Sequence, residues 1–440
     1  MALITKRVYG AEDVLPKDSY KWQFLEQLMR SEASAYGFKE IRTPVFEHTE
    51  LFQRGVGDTT DIVQKEMYTF NTKGGTSLTL KPEGTAGAAR ALLEHALYND
   101  GLPVKAYYIT PCYRYEKKQA NRYREFHQFG METYGTDNPA ADAEMICAAQ
   151  SIFDRLYIGD KLRLELNSIG CPECRAKYYE ALKEYFSQYK AKLCDTCLSR
   201  LERNPMRILD CKSPVCSEIA KGAPVVLDYI CDDCREHFES VKSLLDSAGI
   251  KYSVNPKIVR GLDYYTRTVF EFVTDELGAQ GTVCGGGRYD GLIEELGGQH
   301  LPSLGFALGI ERLLALLEAI GTEIPNNDEC ELYIATMGKR SQSKAFELLA
   351  QVRSTSMHAE TDIVGRSLRA QMKYADKIGA KFSLVLGDNE IDSNKAELKN
   401  MESGEKTEIS LDGRFLDEFI SASAHNSAKA VFLNKENNKD

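Results

Sequence analysis

The spacing of apolar residues near the start of the chain predicts the first element. Trp22, Leu25 and Met29 recur at helical spacing between residues 18 and 36, and Gly37 provides a stop signal. We therefore expect an opening helix that buries this apolar face against the rest of the fold.

Strand-like patterns follow the opening helix. Residues 38–46 predict a strand, and Pro44 within it fits a sheet edge or a bulge better than a central position. Residues 106–115 and 125–134 are two further strand-like runs, separated by a polar, basic segment. This arrangement predicts an antiparallel hairpin with a long loop.

One face of the second hairpin strand carries candidate binding residues. Side chains two apart share a strand face, so Phe126, Gln128 and Glu132 project together, and Gly130 between them predicts an open space. Polar side chains beside an empty position indicate a pocket wall. A solvent-facing strand surface explains the alternation equally well at this point.

The middle of the chain predicts an inserted module. Asn138-Pro139 favours a helix start, and residues 162–167 favour a strand before the composition changes at Gly170. Residues 171–248 are rich in cysteine and charge, and strand character returns over residues 251–273. The main sheet is expected to continue after the insertion.

The last third predicts a strand that runs into a helix and then a separate domain. Residues 304–309 have strand character, residues 310–319 have helical character, and residues 325–328 predict a linker. Beyond the linker, strands and helices alternate, which is typical of an α/β domain. The predicted strands are residues 331–336, 363–365 and 382–386, and the predicted helices are residues 343–353 and 367–378. Residues 425–440, rich in Asn and Lys, predict a flexible tail.

Length, composition and charge narrow the class of protein. The 440 residues exceed what one core usually organises, so roughly three domains are expected. No apolar run approaches the roughly 20 residues that cross a bilayer, and the first residues lack a secretory pattern, so we predict a cytoplasmic protein with no membrane partner. The net charge of −10 means that any contact with nucleic acid must use local basic patches.

The twelve cysteines point to metal binding or catalysis rather than to disulfides, because cytosolic thiols are kept reduced. Eight of them form four close pairs, and tetrahedral zinc sites use such pairs, two per ion. The pairs are Cys171 with Cys174, Cys194 with Cys197, Cys211 with Cys216, and Cys231 with Cys234. We predict one or two structural Zn²⁺ ions, and the alternative is an insertion of reduced thiols without metal.

Arginines from three segments are candidates for binding a polyphosphate. The planar guanidinium binds phosphate bidentately and stays charged. The candidates are Arg114, Arg122 and Arg124 in the hairpin, Arg260 before a strand, and Arg312 where a helix begins. Taken singly, each arginine is more typical of a surface ion pair. The sequence around each one is therefore needed to distinguish a phosphate-binding residue from a surface residue.

That surrounding sequence resembles the three signature motifs of class II aminoacyl-tRNA synthetases. Arg114-Tyr-Glu116 followed by Arg124-Glu-Phe126 resembles the second motif, Gly305 to Arg312 resembles the third, and Tyr36 to Pro44 resembles the first.

Further segments narrow the resemblance to histidyl-tRNA synthetases. Arg260 to Thr268 and Gly285 to Gly291 are similar to two blocks peculiar to that family. Gly10 to Pro16, Leu80 to Ala86 and Val364 to Lys373 resemble family segments as well, so the likeness runs from about residue 9 to residue 420. Departures are few: Lys81 stands where Arg is commoner, Lys117-Lys118 replaces a more usual Arg-Pro, and Cys284 precedes the glycine run.

The resemblance implies an α+β fold. Residues 1–170 and 249–325 would form the catalytic domain, an antiparallel class II synthetase sheet flanked by helices. Residues 171–248 would form a cysteine-rich insertion domain, and residues 329–424 an α/β anticodon-binding domain. Many members of the family carry an insertion without cysteines, so zinc would be structural. A homodimer is also implied.

The resemblance also implies an activity and its residues. The histidine carboxylate would attack the α-phosphate of ATP, giving histidyl-adenylate and pyrophosphate, and histidine would then pass to the terminal ribose of tRNA(His) without a protein nucleophile. The expected histidine-binding residues are Glu83, Thr85, Gln128, Glu132, Tyr264 and Tyr265. The expected ATP-binding residues are Arg114, Glu116, Arg122, Phe126 and Arg312, with Arg114 and Arg260 catalytic at the α-phosphate and Mg²⁺ bridging the phosphates.

A basic stripe in the terminal domain is the candidate contact with tRNA. Arg366, Arg369, Lys373 and Lys377 fall on one side of the helix predicted there. Likeness to an anticodon-binding domain favours a tRNA contact, where unstacked bases offer readable edges. An ion-paired face exposed to solvent is the alternative.

Two other functions stay open. A non-catalytic paralogue, such as the regulatory subunit of ATP phosphoribosyltransferase, shares the catalytic fold and would bind histidine as a sensor. A zinc-ribbon adaptor for nucleic acid would leave the two histidine-specific blocks unexplained. The presence of Arg114, Arg260 and Arg312 with a complete terminal domain favours the enzyme.

Overall fold

The chain folds into two units that divide between Ile324 and Pro325. The computed structural model describes residues 5–57, 60–116, 122–278, 281–326 and 329–424. Lys117-Lys118, part of the predicted linker and the predicted tail at residues 425–440 lie outside the described residues. Among the described helices, none has the length and apolar character needed to cross a bilayer.

Two sheets form the centre of the first unit. The larger one has eight strands in the order β1–β5–β6–β11–β10–β9–β7–β8, and its two edge strands pair in parallel with their neighbours. The smaller one has the order β2–β4–β3. The strands are β1 (Lys39–Glu40), β2 (Phe46–His48), β3 (Tyr68–Asn71), β4 (Ser77–Leu80), β5 (Val104–Tyr113), β6 (Glu125–Tyr134), β7 (Arg163–Ser168), β8 (Ser253–Val254), β9 (Thr266–Val273), β10 (Thr282–Arg288) and β11 (Ser303–Gly309).

Some helices pack against the larger sheet, and others make up the insertion. They are α1 (Pro16–Ala35), α2 (Thr49–Val56), α3 (Thr85–Glu94), α4 (Pro139–Arg155), α5 (Pro172–Ser187), α6 (Asp195–Arg203), α7 (Pro214–Ala220), α8 (Asp232–Ser247), α9 (Leu292–Glu295) and α10 (Ile310–Ala319). Helices α1, α4, α8 and α10 pack their apolar side chains with strand residues such as Phe129, Phe272 and Phe306.

The inserted residues share their apolar cores with the rest of the unit. Tyr178 and Ile208 of the insertion belong to one buried cluster with Leu92 and Tyr265, which lie outside it. Phe238 of α8 belongs to the core beneath the larger sheet. The insertion is therefore packed against the sheet and contributes to both cores.

Several elements confirm the sequence predictions. Strands β5 and β6 form the expected antiparallel hairpin. The predicted helix start is present at α4, where Asn138 Oδ1 accepts a hydrogen bond from Ala140 N at 2.9 Å. Strand β11 runs into α10 as expected.

The predicted strand at residues 38–46 is wrong as a single element. Only Lys39–Glu40 pairs with β5, at the sheet edge, and Phe46–His48 belongs to the smaller sheet. Pro44 lies between the two segments, and proline cannot donate to a strand ladder. The chain therefore leaves one sheet and joins the other at this point.

The second unit contains a five-stranded sheet with strand order β13–β12–β14–β15–β16, in which the first three strands are parallel. Its elements are β12 (Leu332–Thr336), α11 (Lys339–Ser354), β13 (Ala359–Thr361), α12 (Leu368–Lys377), β14 (Phe382–Leu386), α13 (Asp388–Ser393), β15 (Lys395–Asn400) and β16 (Lys406–Ser410), followed by helical residues 415–424. The strand predicted at residues 363–365 is wrong. Those residues form a loop around the Asp362 carboxylate, which accepts hydrogen bonds from Gly365 N and Arg366 N at 2.7 and 2.6 Å.

Candidate active site

A cavity of about 280 Å³ lies on one face of the larger sheet. Strands β6, β10 and β11 form its floor, the start of α10 and the open end of the hairpin form one side, and residues 260–265 form another. Of the residues proposed from sequence, those lining it are Glu83, Thr85, Arg114, Glu116, Arg122, Phe126, Gln128, Arg260, Tyr264, Tyr265 and Arg312. Segments far apart in the chain therefore meet in one place.

Four arginines give one end of the cavity a positive charge. Arg114 Nε donates to Pro82 O at 2.8 Å, and its guanidinium lies 5.3 Å from the Phe126 ring centroid. Arg122 Nη1 donates to Glu116 Oε2 at 2.8 Å. Burial and the positive charge of Arg122 lower the pKa of Arg312, so this end favours an anionic ligand.

Arg260 lies against a strand that carries no side chain at that point. A β-carbon at Gly285 would overlap the Arg260 guanidinium, so the glycine permits the close approach. Burial opposes the charge of Arg260, but Glu271, which forms an ion pair with it, and Tyr265 outweigh burial and raise its pKa. Within the described residues, Arg260 Nε is buried without a hydrogen-bond partner.

A buried carboxylate lies at the other end. Glu132 is 1% exposed and sits directly behind the cavity wall rather than in it. It accepts hydrogen bonds from Thr85 Oγ1 at 2.7 Å, from Tyr108 OH at 2.9 Å and from Tyr289 OH. Burial raises the pKa of Glu132 to about 8, although the three hydroxyls act in the opposite direction.

The open space predicted at Gly130 is filled. Tyr108 on β5 lies opposite Gly130, and a β-carbon there would overlap the Tyr108 ring. The glycine therefore makes room for the tyrosine that donates to Glu132, not for a ligand. A large residue opposite a glycine becomes visible only when the strand register is known.

The proposed amino-acid pocket combines carboxylate and aromatic groups. Glu83 accepts hydrogen bonds from Thr85 N and Ala86 N, each at 2.8 Å, so it also caps the start of α3. Tyr264 and Tyr265 have ring centroids 4.7 Å apart, and Tyr289 is 5.3 Å from Tyr264. Gln128 Oε1 accepts from Gly84 N at 3.1 Å.

Arg124, proposed as a phosphate ligand, lies outside the cavity lining. Its guanidinium lies 3.9 Å from the Tyr115 ring centroid and 5.2 Å from that of Tyr9. Its Nε donates to Glu116 O at 3.2 Å. This arginine therefore stabilises the hairpin by stacking, and the expectation that it binds phosphate is wrong.

Two contributions were missed from sequence. Tyr289 lies within the Gly285–Gly291 block, but nothing local showed that its hydroxyl would reach Glu132. Arg288 in the same block is fully buried, donating to Asp142 Oδ2 at 2.8 Å and to Asp290 Oδ1 at 3.0 Å. This ion pair joins the end of β10 to α4 and holds the strand that forms the cavity floor.

The eight paired cysteines form two groups. In each group the four sulfurs lie within 4.8 Å of one another. The first group is Cys171, Cys174, Cys231 and Cys234, and the second is Cys194, Cys197, Cys211 and Cys216. Cys171, Cys194 and Cys231 occupy the N-cap positions of α5, α6 and α8, and a helix N-terminus stabilises a thiolate.

The basic stripe is shorter than predicted. Arg366 precedes α12, forms an ion pair with Asp362 at 2.8 Å and lies 4.3 Å from the Tyr374 ring centroid. Arg369, Lys373 and Lys377 are exposed on α12. Three of the four residues therefore share a helix face.

Comparisons with known families match both units of the fold. The family described as "Histidyl-tRNA synthetase" matches residues 10–200 and 216–313. The family described as "Anticodon binding domain" matches residues 331–418.

Individual proteins match nearly the whole chain. A histidine–tRNA ligase from Clostridium novyi (strain NT) is 54% identical over 412 residues, covering 94% of this chain and 97% of its own. The crystal structure of apo S. aureus histidyl-tRNA synthetase is 40% identical with a TM-score of 0.81, covering 94% of this chain and 100% of its own. A chain from Bacillus halodurans C, described as an ATP phosphoribosyltransferase regulatory subunit/histidyl-tRNA synthetase, is 22% identical with a TM-score of 0.62, covering 88% of this chain and 99% of its own. At that identity the last likeness shows the fold alone.

The buried carboxyl of Glu132 predicts a pH dependence of folding stability. Its pKa is about 8 in the folded protein, against an ordinary value of 4.5. As pH rises, the unfolded chain loses this proton first, so the contribution of Glu132 to the free energy of unfolding falls between about pH 4.5 and pH 8. Glu132→Gln removes this component, and the variant gains stability relative to the parent as pH rises. Denaturant unfolding at about pH 5 and pH 8 measures the difference.

The matched control for this experiment is Glu318→Gln, at an exposed position on α10. Some pH dependence stays in the Glu132→Gln protein, because burial also raises the pKa of Glu83. Parallel pH profiles for the parent and Glu132→Gln would contradict the assignment.

Proposed function

The chain belongs to the histidyl-tRNA synthetase family, and from its geometry we propose how its own residues bind histidine, ATP and tRNA. It catalyses ATP-dependent activation of L-histidine to histidyl-adenylate and transfer of histidine to the 3′ end of tRNA(His). A regulatory-subunit function is not favoured, because the nearly full-length matches at 52–54% identity are histidine–tRNA ligases.

We assign the carboxylate end of the cavity to histidine. When Glu132 is ionised, Thr85 and Tyr289 donate their hydroxyl protons to it, so their oxygen lone pairs are left as acceptors for N–H groups of a ligand. Glu132 therefore orients the acceptors of an imidazole or ammonium group. Glu83, Gln128, Tyr264 and Tyr265 complete this end, as the family resemblance implies.

We assign the arginine end to ATP. Arg114 and Arg260 act at the α-phosphate, where charge develops as the histidine carboxylate attacks, and Arg122 and Arg312 bind the β- and γ-phosphates. Glu116 and Phe126 hold Arg122 and Arg114 through the contacts described above. Such a site works by aligning the reactants and stabilising charge. The single observation that carries the proposal is the convergence of these arginines beside Glu132 and its hydroxyl donors.

Mg²⁺ fits the same end of the cavity. This ion is usually bound by one or two carboxylates together with substrate phosphates. Glu116 and Glu311 both line the cavity, and each carboxylate can accept more contacts than its protein partners use. We propose that these two residues hold Mg²⁺, which neutralises phosphate charge when bound.

We propose one structural Zn²⁺ in each cysteine group. Four thiolates at Zn–S distances near 2.3 Å place the sulfurs of a tetrahedral site about 3.8 Å apart. The sulfurs of Cys171 and Cys174 are 3.5 Å apart and those of Cys194 and Cys211 are 3.9 Å apart. The donor set and its dimensions therefore fit zinc.

We propose that the second unit contacts the tRNA anticodon through the exposed face of α12, formed by Arg369, Lys373 and Lys377. We also propose that residues 1–170 and 249–325 form the catalytic domain and residues 171–248 the insertion domain. Arg366 supports the tRNA face indirectly by fixing the loop before α12.

We propose that the protein is a cytoplasmic homodimer. Reducing conditions there keep cysteines out of disulfides, and all twelve cysteines of this chain are unbridged. Exposed Val45, Phe46 and Phe70 lie on or beside the small sheet, next to the segment that resembles the dimer motif. Clustered exposed apolar residues are typical of a protein interface.

The proposed catalytic role of Arg260 is tested by pyrophosphate exchange. The parent should exchange pyrophosphate with histidine and with none of the other nineteen standard amino acids. Arg260→Gln should lower kcat by about 10²- to 10³-fold, because it removes charge stabilisation in the transition state.

Arg163→Gln is the matched control, since Arg163 forms an exposed ion pair with Asp275 at the start of β7. Thermal melts should show that both variants are folded at the assay temperature. Equal kcat values for the two variants would exclude a catalytic role for Arg260.

Metal analysis tests the zinc assignment. The purified parent should contain about two zinc ions per chain, because two cysteine groups are present. Cys174→Ser and Cys216→Ser should each lower the content by about one ion. Cys147→Ser, outside both groups, should leave it unchanged. Zinc near zero in the parent would rule the sites out.

The face of α12 predicts a salt-dependent contact with tRNA. Arg369→Ala/Lys373→Ala should raise KM for tRNA and lower the slope of log affinity against log salt by about 1 to 2, because two phosphate contacts are lost. Histidine-dependent pyrophosphate exchange, which needs no tRNA, should not change. Lys395→Ala/Lys406→Ala on β15 and β16 removes the same charge from the same unit as a control. An unchanged tRNA KM would place the contact elsewhere.

A further inference from the structure

The loop formed by residues 261–265 carries cavity residues but has no helix or strand of its own. It contains only turns and bends, and it ends where β9 begins at Thr266. Tyr264 and Tyr265 of this loop line the cavity. Contacts from outside the loop must therefore fix its conformation.

The insertion supplies one such contact through Arg207, which is 8% exposed. Its Nη2 donates to Gly261 O at 2.7 Å and to Asp263 Oδ1 at 3.1 Å, and its Nε donates to Asp263 Oδ1 at 3.2 Å. Asn204 Nδ2 donates to the same oxygen at 3.0 Å. One carboxylate and one carbonyl of the loop are thus held by two insertion side chains.

A second contact comes from Arg175, on a different helix of the insertion. Its Nη1 donates to Tyr265 O at 2.9 Å and lies 3.5 Å from Asp263 O. The two arginines therefore reach the backbone carbonyls of Gly261 and Tyr265, at the two ends of the loop. Hydrogen bonds from a charged donor are roughly twice as strong as neutral ones.

Each arginine lies close in sequence to one of the cysteine groups. Arg175 directly follows Cys174 in the first turn of α5. Arg207 lies between Cys197 and Cys211, and Arg200 Nη1 of α6 donates to Arg207 O at 3.1 Å. Metal bound by either group would therefore restrict the backbone that presents one arginine.

We propose that the insertion positions the 261–265 loop through Arg175 and Arg207, so that metal binding at the two cysteine groups sets the affinity of the enzyme for histidine. Arg175 and Arg207 are positioning residues, since they contact the loop and not the cavity. The inference rests on the proposed assignment of Tyr264 and Tyr265 to the histidine site and of zinc to the cysteine groups.

The test compares Arg207→Ala with Arg203→Ala in the full-length protein. Arg203 is exposed at the end of α6, so the control removes the same charge from the same insertion. Arg207→Ala should raise KM for histidine about 10-fold or more, because displaced positioning groups weaken alignment. KM for ATP should stay within about twofold of the parent, a split that general loss of structure would not produce.

A second arm removes the metal. Zinc depletion should raise KM for histidine in the parent. In the double variant Arg207→Ala/Arg175→Ala, depletion should raise KM for histidine by less than about twofold, because the metal and the arginines act through the same contacts. Equal effects of depletion in the two proteins would overturn the link to the metal, as would an equal rise in KM for ATP. Circular dichroism after depletion identifies any unfolding, and readdition of Zn²⁺ should restore the parent KM.

The outcomes separate this inference from the proposed function. A parent that shows no histidine-dependent pyrophosphate exchange would overturn the proposed function itself. Normal exchange in the parent, with Arg207→Ala indistinguishable from Arg203→Ala, would overturn only the positioning role. A selective rise in KM for histidine in Arg207→Ala, absent in Arg203→Ala, supports it.

Discussion

Burial of the Glu132 carboxylate is the constraint on which one end of the cavity depends. A buried carboxyl needs hydrogen-bond partners, and here they come from three separate elements: Thr85 on α3, Tyr108 on β5 and Tyr289 after β10. Because every donor has to reach one group, the three elements are held in a fixed relation. Gly305 on β11 is part of the same arrangement, since a β-carbon there would overlap the carboxylate.

At the opposite end of the cavity the charged groups are arginines, so the charge is positive. Burial and the positive charge of Arg122 lower the pKa of Arg312. An anionic ligand bound at this end would offset the repulsion between Arg122 and Arg312. The two ends therefore offer hydrogen-bonding groups and positive charge, which the proposed assignment gives to histidine and to the phosphates of ATP.

Sequence patterns predicted those parts of the structure that local periodicity or a motif determines. The β5–β6 hairpin followed from alternation, and the residues of the cavity followed mostly from motif resemblance. The partnership of Tyr108 with Gly130 did not, because it depends on strand register. Arg366 was placed on a helix by spacing alone, although the Asp362 carboxylate competes for its backbone N–H and forms a loop there. Tertiary hydrogen bonds fix the conformation of those residues for which sequence periodicity gives no clear prediction.

The contribution of the insertion to the site was the hardest part to predict from sequence. A segment of fewer than about 80 residues rarely forms a sufficient core alone, and such segments often rely on metal or on packing against a larger body. The buried residues of the insertion join the cores of the first unit, and its cysteines converge in two groups that could hold a metal ion. Once the insertion is fixed at those points, its arginines that face the loop occupy defined positions. Arg175 and Arg207 then hold carbonyl groups of a loop that has no regular structure of its own. In this proposal the cysteine groups restrict the insertion, and Arg175 and Arg207 in turn restrict Tyr264 and Tyr265, which line the cavity.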